Sequence, residues 1–380
     1  MVKWLAIFLL GLGFAVGNVY KFSFFSPEVR LTPLDCIVIV LTLFTLLKSF
    51  KDPQLWHPVE AFFTIGVVSL LFAWQSFGTS AAMIGGMYLG RWVMYTLFFV
   101  SLVRIFKVHE LVNLVYVLGL VTVVVSLLQY IIYPDIRALQ LLEWDPHYFR
   151  VVGSWLDPGF TGVLLVFILL WLTANPFKLR WQQLAAWISA YLAFALTYSR
   201  SSYLAFLGGM AWLAWKQKGW KFLVQMTLLL GITILLLPRA PDGEGVKLER
   251  AYSIWSRLDS WKYAWTIFTD HPVLGVGFNT YRYAQKDYGF ISPEKWQTTH
   301  AGAGADSSLL FVAATTGILG LIAYLWYLKR IFGMGTTNLA LGATLVALVV
   351  HSWFLNSLFY PPIILWLALL IAQRYNASRA

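Results

Sequence analysis

Three arginines lie where a fixed positive charge could bind an anion. Arg91 lies inside an apolar run, and Arg257 lies among aromatic residues of a long polar segment. Arg200 separates two apolar runs, within Thr197-Tyr198-Ser199-Arg200-Ser201-Ser202. A guanidinium is planar and permanently charged, so beside hydroxyl groups it suits a pyrophosphate ligand. The plainer alternatives are a snorkelling or structurally paired side chain for Arg91, an interfacial anchor for Arg200 and a solvated charge for Arg257.

A carboxylate and an imidazole that follow Arg257 in the chain could transfer a proton. Asp306 opens the apolar run 306–328, and His300 lies just before it, across the small-residue stretch 301–305. A carboxylate at a membrane edge could act as a general base toward a hydroxyl group, with His300 as the lesser candidate. The alternative for Asp306 is the N-cap of the following helix, a role that aspartate often takes.

The composition excludes several classes of protein. The chain is 59% hydrophobic and 12% charged, and a soluble chain of 380 residues could not bury that much apolar surface. The net charge of +11 is spread between apolar runs, which argues against a nucleic-acid partner. Cys36 is the single cysteine, so the chain forms no internal disulfide. No cluster has metal-ligand spacing and no nucleotide motif is complete, so we expect neither a metal nor a cofactor.

The apolar pattern predicts an all-α, polytopic membrane protein with about twelve transmembrane helices. Each run is roughly long enough for a hydrocarbon core of ~30 Å, the shorter ones marginally. We expect a single integral membrane domain over residues 1–380. The runs lie near residues 4–20, 33–48, 60–77, 81–103, 111–133, 159–174, 183–198, 201–215, 221–237, 306–328, 337–355 and 359–374.

The distribution of charge orients this predicted bundle. Lysine and arginine in short cytoplasmic loops set the orientation of membrane helices. With the N-terminus in the cytoplasm, every inner loop is basic. The short outer connections then hold only four basic residues, Lys21, Arg30, Arg137 and Arg150. We therefore expect both termini in the cytoplasm and a large outer loop, residues 238–305, between spans nine and ten.

The 238–305 segment contains a predicted aromatic helix. This helix either lies along the outer membrane interface or packs on the ends of the membrane helices, and both positions place it beside the mouth of the bundle. Gly275-Val276-Gly277, which follows it, fits the turn that ends the helix better than a phosphate loop. The helical spacing is carried by Trp255, Leu258, Trp261, Trp265 and Phe268, before Pro272.

Three stretches resemble the O-antigen ligase/O-antigen polymerase superfamily of bacterial envelope glycosyltransferases. Thr197-Tyr198-Ser199-Arg200-Ser201 looks like its membrane Ser-Arg motif. Arg257-Leu258-Asp259-Ser260-Trp261-Lys262, continuing to Asp270-His271-Pro272-Val273-Leu274-Gly275-Val276-Gly277, resembles its Arg…Trp…His-Pro-x-x-Gly-x-Gly segment. Asp306-Ser307-x9-Gly317-x-x-Gly320 follows a spacing typical of the ligases, and Gly153-Ser154-Trp155-Leu156-Asp157-Pro158 is a weaker match. Together the matches cover roughly residues 150–320.

The resemblance implies a GT-C-like helical bundle that transfers a glycan from an undecaprenyl-pyrophosphate carrier at the periplasmic face, without metal or nucleotide. It implies that the arginines, Arg91, Arg200 and Arg257, hold the pyrophosphate leaving group. Asp306 or His300 would activate the acceptor hydroxyl, with inversion at the anomeric carbon. Three further residues are then candidate glycan contacts: Arg282, Asp157 and His147.

Three alternatives remain open at this point. One is a glycosyltransferase of another envelope polymer, such as a capsule or teichuronic acid, with the same mechanism and a different sugar. The ligases have histidine where this chain has Asp306, which favours an O-antigen polymerase over a ligase that transfers glycan to lipid A-core. A transporter of anionic solutes could use the same arginines, although the internal repeats typical of transporters are not evident. The expected partners are the lipid bilayer of the bacterial inner membrane, lipid-linked oligosaccharides and, as a further candidate, a chain-length regulator.

Overall fold

The computed structural model describes residues 2–24, 26–46, 53–142, 144–240, 243–294, 296–297 and 300–378. Within these residues the fold is all-helical apart from one antiparallel hairpin, β1 (Phe22–Phe24) with β2 (Ser26–Leu31), so the predicted all-α class is confirmed. The helices are α1 (Val2–Val16), α2 (Pro33–Leu46), α3 (Pro53–Ile105), α4 (Val108–Ile132), α5 (Pro158–Ala174), α6 (Arg180–Ala195), α7 (Arg200–Leu213), α8 (Trp220–Leu236), α9 (Tyr252–Asp270), α10 (Tyr281–Asp287), α11 (Ser308–Gly335), α12 (Leu339–Ser352) and α13 (Pro361–Ala377).

Each predicted apolar run overlaps one of these helices. Apolar runs become helices in lipid because only a helix pairs its backbone polar groups within one segment. In the part of the chain that the structure describes, three helices are long and apolar enough to cross a membrane: Leu55–Ile105 within α3, α4 and α11. Five shorter apolar helices lie in α1, α2, α5, α8 and α12. The total of twelve spans and the outer position of the 238–305 segment stay predictions.

Helix α3 contains two predicted apolar runs and folds back on itself at Gly78. The backbone of Gly78 is non-helical, with φ 87° and ψ 175°. A Cβ on Gly66 would lie 2.9 Å from Leu89, and one on Gly85 would lie 2.5 Å from Leu70. Contacts between positions equally far from Gly78 on either side mean that the two halves run antiparallel.

The centre of the bundle is formed by α5 and α13. Phe160 is the one residue of α5 between Pro158 and Leu172 that is not buried. In α13 every residue from Pro362 to Gln373 is buried. A helix that is apolar and buried on all sides must lie inside a larger bundle, so other helices cover both α5 and α13.

The aromatic helix predicted in the 238–305 segment is α9, and it ends at Asp270, before Pro272, as expected. Its Ala264 and Ile267 side chains are fully buried in a cluster that includes residues of α11. Trp255 and Trp265, in contrast, are more than half exposed. The helix therefore packs on α11 through one face, while its other face carries exposed tryptophans.

The loop that follows α9 docks onto a break in α11. The break is at Gly317, where non-helical backbone (φ 65°, ψ −167°) leaves carbonyls and amides of α11 without their helical partners. Loop 272–277 supplies the missing partners. Val276 N donates to the Ala314 carbonyl (3.0 Å), Gly277 N to the Thr315 carbonyl (2.9 Å), and Ile318 N to the Pro272 carbonyl (2.8 Å).

Glycine is required on both sides of this contact. Gly275 and Gly317 have left-handed φ values of 66° and 65°. A Cβ on Gly275 would stand 2.3 Å from the Thr315 carbonyl carbon, and one on Gly317 would stand 2.1 Å from the Val273 oxygen. The Gly-x-Gly and Gly-x-x-Gly motifs therefore meet backbone to backbone, and the first of them is a turn, as the sequence predicts.

Replacing Gly317 with alanine is expected to destabilise the protein strongly. The new Cβ meets backbone that cannot move aside, and alanine is strained at this φ, so the two costs together reach about 3 kcal/mol or more. The measurement is the melting temperature of purified protein in detergent. Gly333→Ala, later in α11, is the matched control, because a Cβ there meets nothing within 4 Å. Equal melting temperatures for the two variants would contradict the proposed fit.

Candidate active site

The Ser-Arg stretch forms a sharp break between α6 and α7. Tyr198 has a left-handed φ of 50°, a conformation that non-glycine residues rarely adopt. Its hydroxyl donates to the carbonyl of Pro238, at the start of the 238–305 segment. Ser199 then caps α7 by accepting a hydrogen bond from the Ser202 amide (3.4 Å). The break therefore places Arg200 at the first residue of α7 and ties it to the outer segment.

Arg200 reaches from this break into the 238–305 segment. Its Nη1 donates to the carbonyls of Leu248 (3.2 Å) and Arg250 (3.1 Å), and its Nη2 donates to the hydroxyl of Ser253. These bonds use three of the five guanidinium N–H groups. The Nε–H has no partner among the described residues, so Arg200 both anchors the segment and keeps donors for a ligand.

Helix α9 positions Asp306. The Asp306 amide donates to the Ser260 hydroxyl (2.9 Å), and its carbonyl accepts a hydrogen bond from Trp261 Nε1 (3.0 Å). Arg257 lies three and four residues before Ser260 and Trp261, so it shares their face of the helix. One face of α9 therefore carries both the groups that hold the Asp306 backbone and a cation.

Asp306 and Arg257 keep their functional groups free. Neither the Asp306 carboxylate nor the Arg257 guanidinium makes a hydrogen bond or an ion pair with residues in the described ranges. Burial raises the pKa of Asp306 to about 6; Arg257 opposes this shift, whereas Asp157 and Asp145 add to it. A carboxyl group with a pKa near neutrality and no structural partner has the properties of a general base.

The cap of α11 is Ser307 rather than Asp306. The Ser307 hydroxyl accepts a hydrogen bond from the Leu310 amide (3.5 Å). The structural alternative for Asp306, an N-cap, therefore belongs to its neighbour. This leaves the Asp306 carboxylate available for chemistry. His300 begins a short 3-10 helix, His300–Ala303, and its role as an alternative base stays a prediction.

Arg91 has a structural partner that the sequence pattern did not identify. Its Nε and Nη2 donate to the two carboxylate oxygens of Asp35 (2.8 and 2.9 Å). Asp35 is fully buried and also accepts hydrogen bonds from Tyr95 (2.9 Å) and Thr32 (2.7 Å from the amide, 2.8 Å from the hydroxyl). The structure thus gives Arg91 the ion pair that was the plainer alternative. A contact between Arg91 and pyrophosphate stays a prediction.

Asp157 and Arg282 also have structural roles. Asp157 caps α5, since its Oδ1 accepts hydrogen bonds from the amides of Gly159 (2.7 Å) and Phe160 (2.8 Å). Arg282 donates to the Trp296 carbonyl. Burial lowers the pKa of Arg282, and Glu28 opposes this shift. Their contacts with a glycan stay predictions, and any such contact would use the remaining polar atoms.

His147 is nine-tenths buried, and its Nε2 has no hydrogen-bond partner among the described residues. Burial lowers the pKa of His147 to about 3, and Arg150 and Arg250 lower it further. The imidazole is therefore neutral at pH 7. Arg150 and Arg250 lie near His147, and Arg200 binds the Arg250 carbonyl. This predicted glycan contact therefore lies on the same side of the molecule as Arg200.

Sequence reasoning missed two residues of this region. His351, in α12, contacts Ser357 Oγ through Nδ1 (2.6 Å) and Ser201 Oγ through Nε2 (3.3 Å), so it joins α12 to the Ser-Arg break. The argument that selects Arg91, a polar residue inside an apolar run, applies equally to His351 in the run 337–355. Arg150 is the second, and its position depends on a loop path that no spacing pattern reveals.

Asp306→Asn and Ser307→Ala are expected to differ in stability. The pKa of Asp306 is raised in the folded protein, so folding favours its protonated form and the ionised form weakens stability as pH rises from about 4 to 6. Asparagine resembles the protonated form, so Asp306→Asn keeps or raises the melting temperature at pH 7.5. Ser307→Ala loses a cap, at a cost of about 1 kcal/mol.

Thermal unfolding of both variants at pH 5 and pH 7.5 tests this expectation. The gain from Asp306→Asn over the native protein is larger at pH 7.5, whereas the loss from Ser307→Ala is the same at both pH values. A clear loss of stability in Asp306→Asn at pH 7.5 would return the capping role to Asp306.

The sequence that builds this site can be compared with known protein families. A family model described as O-antigen ligase matches residues 184–325, which include the Ser-Arg break, Arg257 and Asp306. The matched range covers less than half of the chain and agrees with the resemblance seen over residues 150–320. No curated protein matches the chain. Residues 184–325, from α6 into α11, are therefore similar to the O-antigen ligase family.

Proposed function

We propose that the protein is an O-antigen polymerase that joins undecaprenyl-pyrophosphate-linked oligosaccharide repeat units. The family match supports glycosyl transfer of the O-antigen type. The observation that carries the proposal is the free Asp306 carboxylate, held by α9 beside Arg257. Its residue type, aspartate where the ligases have histidine, favours the polymerase over the ligase.

The reaction needs one proton acceptor and one anion site. Asp306 takes the proton from a hydroxyl of the acceptor glycan, and the oxygen attacks the anomeric carbon of the donor. The bond between that carbon and the pyrophosphate oxygen breaks, and undecaprenyl pyrophosphate leaves with the bonding electrons. Attack from the face opposite the leaving group inverts the anomeric configuration.

The arginines stabilise the charge that develops on the departing pyrophosphate. Fixed cations in a site of low dielectric do this without reorganising in the transition state. Arg257 is the first candidate because its guanidinium has no hydrogen bond or ion pair within the described residues. Arg200 is the second because it keeps free N–H groups. Arg91 would contribute only by sharing its guanidinium between Asp35 and the ligand.

The setting of the reaction belongs to the same proposal. The protein lies in the bacterial inner membrane with both termini in the cytoplasm, and the 238–305 segment covers the site on the periplasmic face. The lipid-linked donor enters laterally between helices, without metal or nucleotide. The family match favours a ligase as the second candidate function, with lipid A-core as the acceptor.

Incubation of the purified protein with lipid-linked repeat units, without added metal, tests the function. Arg257→Gln is expected to reduce polymer formation by at least ~100-fold in kcat, because it removes one preorganised contact to the leaving group. Arg257→Lys restores part of the rate. Lys262→Gln, an exposed cation on the same helix, is the matched control and keeps native activity.

The products, separated by glycan length on a gel, decide between the functions. A ladder of longer lipid-linked glycans supports the polymerase. Transfer to added lipid A-core without a ladder identifies a ligase and overturns the inference from Asp306. Native activity in Arg257→Gln would remove Arg257 from the anion site, and uptake into proteoliposomes without any glycosidic product would favour the transporter.

The rate is expected to depend on pH through Asp306. A general base must be ionised, and the pKa of Asp306 is raised to about 6, so the rate rises with pH and levels off above about 7. Asp306→Asn removes most of the activity and with it the rise near pH 6, whereas Asp306→Glu keeps a rise. An unchanged profile in Asp306→Asn would direct the search for the base to His300.

A further inference from the structure

Arg150 is a buried cation outside the segment that the family model matches. It lies in the connection between α4 and α5, and only 6% of its surface is exposed. Its Nε donates to the Thr197 carbonyl (3.0 Å), and its Nη2 donates to the Tyr198 carbonyl (3.3 Å). These carbonyls belong to the break that precedes Arg200. Arg150 therefore satisfies backbone groups that the interrupted helix leaves without partners.

The same kind of contact recurs at the next two arginines. Arg200 donates to the carbonyls of Leu248 and Arg250, as described above. Arg250 in turn donates through Nη1 to the carbonyls of Gly245 and Lys247, both at 2.8 Å. Arg150 and Arg200 thus each hold the backbone at or just before the next arginine, and Arg250 holds the backbone just before itself.

Gly245 closes this arrangement into a ring. A Cβ on Gly245 would stand 2.7 Å from Cδ and 3.0 Å from Nη1 of Arg150. The backbone that Arg250 holds therefore lies directly against the Arg150 side chain. We call Arg150, Arg200 and Arg250, with the carbonyls they bind, the arginine ring. It connects three separate parts of the chain: the α4–α5 connection, the α6–α7 break and residues 245–250.

The ring brings like charges together at a cost. Burial lowers the pKa of Arg250 to about 10, and Arg200 and Arg257 lower it further. Burial also lowers the pKa of Arg150, with Arg250 as the next cause. Lysine carries its donors on one nitrogen, whereas Arg150 donates from two separate nitrogens, Nε and Nη2, to two adjacent carbonyls. Forked geometry therefore explains an arginine here better than charge alone.

We infer that Arg150 is a positioning residue that fixes Arg200 and the backbone of residues 243–250 relative to each other at the site. Its Nε and Nη2 are occupied by carbonyls and its Nη1 lies against Gly245, so it acts through Arg200 and not by contact with substrate. The inference rests on the proposed function for its effect on catalysis. Its effect on the backbone does not depend on that function.

Hydrogen exchange measured by mass spectrometry tests the positioning directly. The amides of Tyr198, Val246 and Lys247 donate to nearby carbonyls (3.1 to 3.2 Å), so they report on the break and on the outer backbone. In Arg150→Lys these amides are expected to exchange about tenfold faster or more, because at least one of the two hydrogen bonds from a charged group is lost and the forked geometry with it. Arg137→Lys, an exposed arginine of the same connection, is the matched control.

A second variant leaves every charge in place. Gly245→Ala pushes a methyl group against Arg150 and is expected to raise exchange at the same amides. Gly243→Ala, whose Cβ would meet a Val246 methyl at 3.1 Å, is the milder control. Inorganic pyrophosphate, added as a probe of the anion site, binds at least ~10-fold more weakly to Arg150→Lys than to the native protein.

The outcomes separate this inference from the proposed function. Native exchange and native pyrophosphate affinity in Arg150→Lys would show that only charge matters at this position, and the inference falls. Faster exchange in Arg150→Lys and Gly245→Ala supports it, even if the native protein shows no glycosyl transfer. In that case the proposed function fails, and the arginine ring stands as a structural device.

Discussion

The structure depends on how it satisfies backbone groups at breaks in its apolar helices. A helix in lipid pairs its own amides and carbonyls, and every interruption exposes some of them where water is scarce. At the α6–α7 break the guanidinium of Arg150 binds the exposed carbonyls, and at Gly317 the loop 272–277 does so. Both solutions bring chain from outside the interrupted helix: the α4–α5 connection at the first break and the loop after α9 at the second. The first break carries Arg200, and the second lies in α11, the helix that follows Asp306. The site is therefore built where the helices are interrupted.

A division of labour among the charges follows from these contacts. Arg91 is neutralised by Asp35, whereas three other arginines donate hydrogen bonds to backbone carbonyls: Arg150, Arg200 and Arg250. Carbonyls accept hydrogen bonds without cancelling a full charge, so the arginine ring keeps its positive potential. Within the described residues, Arg257 adds a guanidinium with no partner at all. Structural use of an arginine and an attraction for anions are thus compatible, provided that the partners are neutral.

Much of the fold follows from the sequence because hydrophobic length and spacing are local properties. The runs, the aromatic helix ending before Pro272 and the turn at Gly275 all depend on residues close in the chain. The same locality lets the motifs mark Arg200 and Asp306, whose roles stay predictions. The partner of Arg91 could not be found this way, because Asp35 lies on another helix. Arg150 and His351 act on segments about 50 and 150 residues away, and no spacing encodes such contacts.

The number of residues between Asp306 and Gly317 sets the distance between Asp306 and the loop that docks at Gly317. The nine residues between Ser307 and Gly317 form the first part of α11, and at 1.5 Å per residue they place Asp306 about 14 Å from the docked loop. One residue more would also rotate Asp306 by about 100° around the helix axis, away from α9. A substitution at position 306 changes neither the distance to the docked loop nor the angle around the helix axis. The residue type at position 306 can therefore change while the frame stays intact, whereas a change in the interval would displace this residue relative to both the loop and α9.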